Sequence, residues 1–403
     1  MKLDTKHLRY LSNEDWRVLT AVEIGSKNHE VVPTPLIIQL SNLRGGSGVH
    51  KSISTLAKAN LIARTQNAKY DGYRLTYGGL DYLALHTHLK RNALYSTGPC
   101  IGAGKESDIY LCAPPTAPNP PSKTSHQHQP DEQQCVLKIH RLGRISFRSI
   151  KNNRDYLGKR QSASWMYMSR LAAQKEFAFM KALGENGFNV PKAIAWSRHT
   201  VVMSLIEGIP LRAVKEVGDP AGLYSELIEV ILRFAEHGLI HGDFNEFNIM
   251  LQTRGEDGAK ADAKGEAEQS SLSVIPYIID FPQAVSVDHA DAKSYFDRDV
   301  HCIKTFFDRR FHFTSSEPGP YFEEAKARAG GRKKGSCKRI DIDVEASGFS
   351  RQMAKELHKY METVGVNVDT GVTTDEESSE SEEGNDKDGV PSENVDPREL
   401  LHI

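Results

Sequence analysis

Cysteine is scarce in this chain: Cys100, Cys112, Cys135, Cys302 and Cys337 are the only five in 403 residues, with no C-x-x-C pair. That spacing excludes a disulfide framework and a cysteine-built zinc site, and it points to a reducing cytosolic or nuclear compartment. Long apolar runs are missing too, none approaching the roughly 20 residues that span a bilayer. The opening MKLDTKHLRYLSNEDW is charged and lacks the apolar centre of a secretory signal. The expectation is a soluble intracellular protein with no membrane partner. Charge of one sign is also lacking, since 51 basic and 53 acidic residues leave a net −2. Any affinity for nucleic acid must therefore reside in local patches.

Hydrophobic residues make up 39% and charged residues 26%, enough for two to three domains with polar segments between them. Residues 1–92 read as three helices followed by a hairpin. The capping cluster Asn13-Glu14-Asp15 opens the first helix, through Val18, Leu19 and Val22. Pro35 suits the first turn of the second, through Leu36, Ile37 and Leu40. The third follows a turn at Gly45-Gly46-Ser47-Gly48, with Val49, Ile53, Leu56, Leu61 and Ile62 at near-helical spacing. Two short strands, Ile62-Ala63-Arg64 and Tyr73-Arg74-Leu75, then flank a turn at Tyr70-Asp71-Gly72. This order describes a winged helix-turn-helix. Arg44, His50, Lys51 and Lys58 fall at its third helix and Arg64 at its wing, where nucleic-acid phosphates are met without base specificity. A solvated, protein-contacting face is the plainer alternative, and no specific DNA site is expected.

Residues 114–134, rich in Pro, Ser, His and Gln, and Arg254–Ser273, dense in Gly, Glu, Lys and Ala, read as looped-out insertions. Beyond Phe311 order is expected to fade, with one helix over Phe349–Met361. An acidic Ser-rich tail follows, in which Ser378, Ser379 and Ser381 are candidate phosphate acceptors.

The chemistry lies between these segments. In IGAGKESDIY (101–110), Gly102 and Gly104 let backbone N–H groups approach a polyphosphate. Pro99 and Glu106 exclude a Walker A loop, and Ser107 stands where a kinase-type loop has its third glycine. The apolar strand Cys135-Val136-Leu137-Lys138-Ile139 carries one lysine suited to gripping α- and β-phosphates. Its natural partner is Glu176, in a helix expected over Ser164–Leu183, with Glu185 the weaker candidate. His241-Gly242-Asp243-Phe244-Asn245-Glu246-Phe247-Asn248 places an Asn five residues after an Asp, as in the catalytic loop of protein kinases. Asp243 would orient an acceptor hydroxyl, and Asn248 would offer an uncharged oxygen to Mg2+. The strand Pro276–Ile279 ends in Asp280, a second hard metal ligand.

Taken together, IGAGKESDIY, VLKIHRLGRISFR, HGDFNEFNIM and IIDFPQAV resemble the RIO family of atypical serine/threonine kinases. Ser107, Gly242 and Pro282 mark that resemblance, and the winged helix points to the family's second subfamily. It implies an α+β chain with a bilobal protein-kinase-like core, the N-lobe over 93–206 and the C-lobe over 207–315. An extension (316–363) and an acidic disordered tail (364–403) follow. Also implied are ATP binding by Gly102, Gly104, Lys105, Ser107, Lys138 and Glu176, and a hinge near 201–207. There the Ser204 and Ile206 backbones would meet adenine, with Met203 behind the pocket. Asp243 would be catalytic, Asn248 and Asp280 would ligate Mg2+, and Asp280 would accept phosphate during ATP turnover. Family members act in late cytoplasmic maturation of the small (40S) ribosomal subunit. The expected partners are thus the pre-40S particle, its rRNA and assembly factors, in the cytoplasm with passage through the nucleus. The basic segment Arg141–Arg160, including Arg148, Lys151 and Arg154, is the second expected RNA contact. The catalytic loop alone also fits small-molecule phosphotransferases of the aminoglycoside and choline kinase kind, and a non-catalytic ribosome-binding scaffold is a third reading.

Overall fold

The computed structural model describes residues 2–65, 71–115, 134–142, 161–253, 274–331 and 339–346, with short pieces between 349 and 357. The N-terminal unit holds α1 (Asn13–Gly25), β1 (Val32–Pro33), α2 (Thr34–Ser41), α3 (Gly46–Lys58), β2 (Ile62–Arg64), β3 (Gly72–Leu75) and α4 (Tyr77–Lys90). Ser12 is the N-cap of α1, and from the Asn13–Asp15 cluster Asp15 completes the cap in a reciprocal box that satisfies two N-terminal donors. The third helix differs from its sequence reading at both ends. It starts inside the glycine turn at Gly46 and stops at Lys58. Asn60 turns left-handed (φ 54°), which releases Leu61 from the helix and Ile62 into β2. Val32 and Pro33 add a third strand to the wing, in the order β1-β3-β2. Lys51 and Lys58 are exposed on α3, whereas Arg64 is paired across the wing with Asp71 at 2.7 Å.

A five-stranded antiparallel sheet follows, β4 (Ser96–Ala103), β5 (Ser107–Ala113), β6 (Cys135–His140), β7 (Ala193–Ser197) and β8 (Thr200–Ser204), ordered β4-β5-β6-β8-β7. Long helix α5 (Gln161–Glu185) packs on it. A helical lobe lies below: α6 (Pro220–Glu236), α7 (Ala292–Phe311), α8 (Phe322–Gly331) and α9 (Ile340–Ala346). Its small strands are β9 (Ile209–Pro210), β10 (Leu239–Ile240), β11 (Ile249–Thr253), β12 (Val274–Ile278) and β13 (Val285–Ser286). The insertions at 114–134 and 254–273 lie almost wholly outside the described residues. Cys112 pairs with Cys135 and Thr253 with Val274, so the strands on either side of each meet directly.

Among the described residues, order continues past Phe311 through Gly331 and again over 339–346. Phe322, Ala325, Ile340, Val344, Phe349 and Leu357 are buried in the same apolar cluster as the kinase-like lobe. That burial holds α8 and α9 in place, and Arg339 pairs with Asp341 and Asp288. Most of the proposed 349–361 helix and the whole 364–403 tail lie outside the described residues, as do Arg148, Lys151 and Arg154.

Helix α4, absent from the sequence reading, joins the two units. Its Tyr82 and Leu83 enter the winged-helix core, while Leu85 enters a cluster with Tyr110, Leu137 and Val202 of the sheet. Buried Asp81 on α4 receives Arg141 in bidentate fashion (2.8 and 2.7 Å) and His199 Nε2 at 2.8 Å. Asp108 lies 3.5 Å from Arg141 Nε. Burial works against the Asp81 charge, but the His199 hydrogen bond and the Arg141 charge outweigh it and hold the carboxyl below its usual range. Arg141, grouped by sequence with residues facing RNA, is 1% exposed and belongs to this joint instead. Glu23 on α1 clamps Arg198 at 2.6 and 2.7 Å.

His88 closes the joint. Thr200 Oγ1 donates to Ser197 O, so His88 Nε2–H donates to Thr200 at 2.8 Å. Burial, then the nearby Arg91 and Arg198 charges, push the imidazole down to about 4. Because the unfolded ring takes a proton near 6.5, stability from this site is full above that pH and falls as pH drops toward 4. Between pH 7.5 and 5 the wild type should lose about 2 kcal/mol more than His88→Gln. Thermal melts of both proteins across that range check it; parallel curves would show His88 protonates freely in the fold.

Candidate active site

Strand β6 is buried along its whole length, so the Lys138 ammonium, 6% exposed, needs counter-charges at hand. It has two. Nζ is 2.6 Å from Glu176 Oε1 on α5 and 2.8 Å from Asp280 Oδ1. Glu176, not Glu185, is therefore the partner. His140 Nε2 lies 2.8 Å from Glu176 Oε2 but out of hydrogen-bonding alignment.

The His241–Asn248 loop is built around backbone geometry that few residues adopt. Gly242 has φ 76°, and a Cβ there would press on the Gln283 carbonyl at 3.0 Å. Asp299 of α7 accepts the N–H groups of Gly242 (2.8 Å) and Phe244 (3.0 Å), and Arg298 donates to the Gly242 carbonyl. Burial first, with the Asp243 charge added, pushes Asp299 up to about 7. His241, pushed down to about 4 by burial, is neutral. It takes the Asp243 N–H on Nδ1 and donates from Nε2 to Ile279 O.

Asn248 Nδ2 donates to both the backbone oxygen (2.9 Å) and Oδ2 (2.8 Å) of Asp243, which turns the amide oxygen of Asn248 away from that residue. Asn245 Nδ2 holds Oδ1 of Asp243 at 2.8 Å. Asp280 sits at φ 71°, unusual for a residue with a Cβ. Lys138 covers one side of it, yet 39% of its side-chain surface is open.

The two aspartates are driven apart in acidity. Burial, then the Asp280 charge, pushes Asp243 up to about 6 against the Asn248 hydrogen bond. Asp280 is opposed by burial too, but the Lys138 charge and hydrogen bond overcome it and hold Asp280 below the usual carboxylate range. Glu106 joins them from the loop between β4 and β5: burial, then Asp280 and Asp243, push it up to about 8. In the sequence Glu106 served only to exclude a Walker A loop. Its place between Gly104 and Ser107 was the signal available.

Gly104 N–H closes that loop on Ser107 O at 2.8 Å. A Cβ on Gly102 or Gly104 would meet nothing nearer than 3.5 Å, so the protein's own packing does not demand either glycine and both leave the loop backbone open to close approach. Lys105 is exposed beside them. In the segment expected to be the hinge, Met203 is buried. The Ser204 N–H is spent on Lys192 O (3.0 Å), which leaves its carbonyl rather than its N–H for an adenine edge. Asn248 and Asp280 supply hard oxygens of the kind Mg2+ takes. No group of three or more His, Cys, Asp or Glu surrounds a cation site among the described residues, so phosphate and water would complete the shell.

A β-sheet lobe with a gripping lysine, set over a helical lobe with the Asp243–Asn248 loop, defines a protein-kinase-type phosphotransferase. Residues 124–256 and 273–318 match the RIO domain family, and residues 8–91 match the family described as Rio2, N-terminal. The serine/threonine-protein kinase rio2 of Schizosaccharomyces pombe is 49% identical over 360 residues, 89% of this chain and 92% of that protein. Its namesake in Saccharomyces cerevisiae is 45% identical, over 95% of this chain and 87% of the relative. The crystal structure of the Rio2 kinase–ADP/Mg2+–phosphoaspartate complex from Chaetomium thermophilum matches with a TM-score of 0.77 at 58% identity, over 91% of this chain and 99% of that one. The chain belongs to the RIO family of serine/threonine kinases, in its Rio2 branch.

Proposed function

We propose that this kinase binds ATP with Mg2+, transfers the γ-phosphoryl group to its own Asp280, and uses the cycle as a switch in cytoplasmic 40S maturation. The observation that carries the chemistry is the opposed tuning of Asp243 and Asp280. Asp280 stays anionic, with Oδ1 held by Lys138, and so offers an oxygen as nucleophile. It attacks the γ-phosphorus, the bond to the β–γ bridging oxygen breaks, and ADP leaves with that electron pair. Water then attacks the acyl phosphate, giving phosphate and free Asp280. Asp243, poised near neutrality, takes the water's proton, or that of a Ser or Thr hydroxyl in a protein substrate. Bound Mg2+, held by Asn248 and Asp280, would neutralise phosphate charge. The phosphoaspartate in the Chaetomium relative supports this reading.

Mg2+ and γ-labelled ATP should give hydroxylamine-labile label that vanishes in Asp280→Asn. Stable label on Ser or Thr would replace the ATPase switch with a protein kinase cycle, and no turnover at all would favour a scaffold.

The ribosomal role draws on the exposed Lys51 and Lys58 of α3, which face solvent without an acidic partner among the described residues. These, with Arg148, Lys151 and Arg154, would meet rRNA phosphates of the pre-40S particle beside its assembly factors. The protein would work in the cytoplasm and pass through the nucleus. Reversing Lys51 and Lys58 to Glu should weaken co-sedimentation with small-subunit precursors and flatten its salt dependence. Unchanged co-sedimentation would remove α3 from the interface.

A further inference from the structure

Lys175 stands one residue before Glu176 on α5 and is 3% exposed. Its ammonium meets no carboxylate among the described residues. Nζ instead donates to a single backbone carbonyl, Pro282 O, at 2.5 Å, and lies 5.9 Å from the centre of the Phe179 ring. Burying a lysine amine without a counter-ion is costly and holds its pKa down to about 7, and Met or Leu would fill the same volume without that cost. The carbonyl it holds belongs to the turn Asp280-Phe281-Pro282.

That turn needs holding. Asp280 occupies the left-handed region at φ 71°, which an L-residue with a Cβ adopts only under constraint from its surroundings. Before Asp280, the turn is tied by Ile279 N–H to Asn248 O (3.0 Å) and by His241 Nε2 to Ile279 O (3.2 Å). Beyond it, Ala284 N–H reaches Phe281 O at 3.1 Å and Lys175 reaches Pro282 O. Of these ties, only Lys175 comes from the helix that also carries the Lys138 partner. Adjacent helix positions point about 100° apart. One rigid helix can thus hold the phosphate-gripping lysine through Glu176 and the aspartate turn through Lys175.

We propose that Lys175 is a positioning residue for phosphoryl transfer, fixing the Pro282 carbonyl so that the Asp280 carboxylate is presented to the nucleotide. The inference rests on Asp280 as phosphate acceptor, and it adds α5 as the element that sets acceptor and Lys138 in one frame. A neutral side chain of similar volume and without a donor would leave Glu176 and Lys138 in place and free only the turn.

The test is Lys175→Met in the full chain, read two ways. Affinity for ADP without Mg2+, by calorimetry, should stay at the wild-type value, because Asp280 would meet the nucleotide through the metal and Lys138 keeps its Glu176 partner. The rate of hydroxylamine-labile labelling should fall on the order of tenfold to a hundredfold, the scale of a misplaced reacting group. Labelling at the wild-type rate would overturn the proposal. So would a parallel loss of affinity and rate, which would mean Lys175 acts on Lys138 through the helix. If the Met variant does not melt cooperatively, Lys175→Leu, which likewise has no donor for the Pro282 carbonyl, takes its place under the same criteria. A wild-type chain that forms no labile label would overturn the Asp280 reading instead. The same split between affinity and rate, measured on ATP turnover, then decides the role of Lys175.

Discussion

Asp243→Asn should lower ATP turnover on the order of 10²- to 10⁴-fold while nucleotide affinity stays close to wild type. Affinity is spared because Asp243 makes no contact with Lys138 or the hinge; its ties are to Asn245, Asn248 and the His241 ring. Turnover is lost because the amide cannot accept a proton. Asn248 and Asn245 both donate to the Asp243 carboxylate, so an amide there also sets N–H against N–H on one side. The same group predicts an acid limb in the wild type. A base works only when ionised, so turnover should fall as pH drops through the region near 6 where burial and the Asp280 charge place the Asp243 proton in the nucleotide-free chain. Turnover and ADP affinity measured side by side check this; full turnover in Asp243→Asn would remove Asp243 from the chemistry.

Lys138→Met should abolish tight nucleotide binding and also destabilise the protein. The lysine neutralises two carboxylates, and Glu176 is buried with only 2% of its side chain exposed. Truncating one partner of a buried ion pair costs about 3–5 kcal/mol, because the remaining charge is left without a counter-ion. The Asp280 arm adds less, since 39% of its side chain faces solvent and is screened. Adding Glu176→Gln should restore part of the stability without restoring binding, as the orphaned charge is then gone. Urea titration of the single and double variants measures this. Equal stability of wild type and Lys138→Met would mean that the Lys138–Glu176 pair carries no net weight in the fold.

Which parts of this molecule could be read from the chain alone follows from how each signal is written. Helices α1 to α3 bury one face each, so their apolar residues recur at helical spacing. Helix α4 escaped because it is covered on two sides, Tyr82 by the winged-helix core and Leu85 by the sheet, and a helix buried on two sides shows no single stripe. Arg141 was misplaced for a related reason. In sequence it is one cation in a basic run, and only the fold brings Asp81, 60 residues away, against it. The extension after Phe311 looked weak because its apolar residues are sparse, yet Phe322, Ala325, Ile340, Val344, Phe349 and Leu357 enter a core already built by other segments.

The chain by itself determined the kind of chemistry, since the order of the glycine loop, Lys138, Glu176, the Asp243–Asn248 spacing and Asp280 is a linear property that needs no distances. It also determined the winged-helix neighbour, through periodicity and turn residues. Only the tertiary structure decided how these groups behave. The opposed acidities of Asp243 and Asp280, the entry of Glu106 into the site and the support of Asp299 and Lys175 arise between segments remote in sequence. Burial and electrostatic attraction depend on separation in space, and no local pattern encodes that separation.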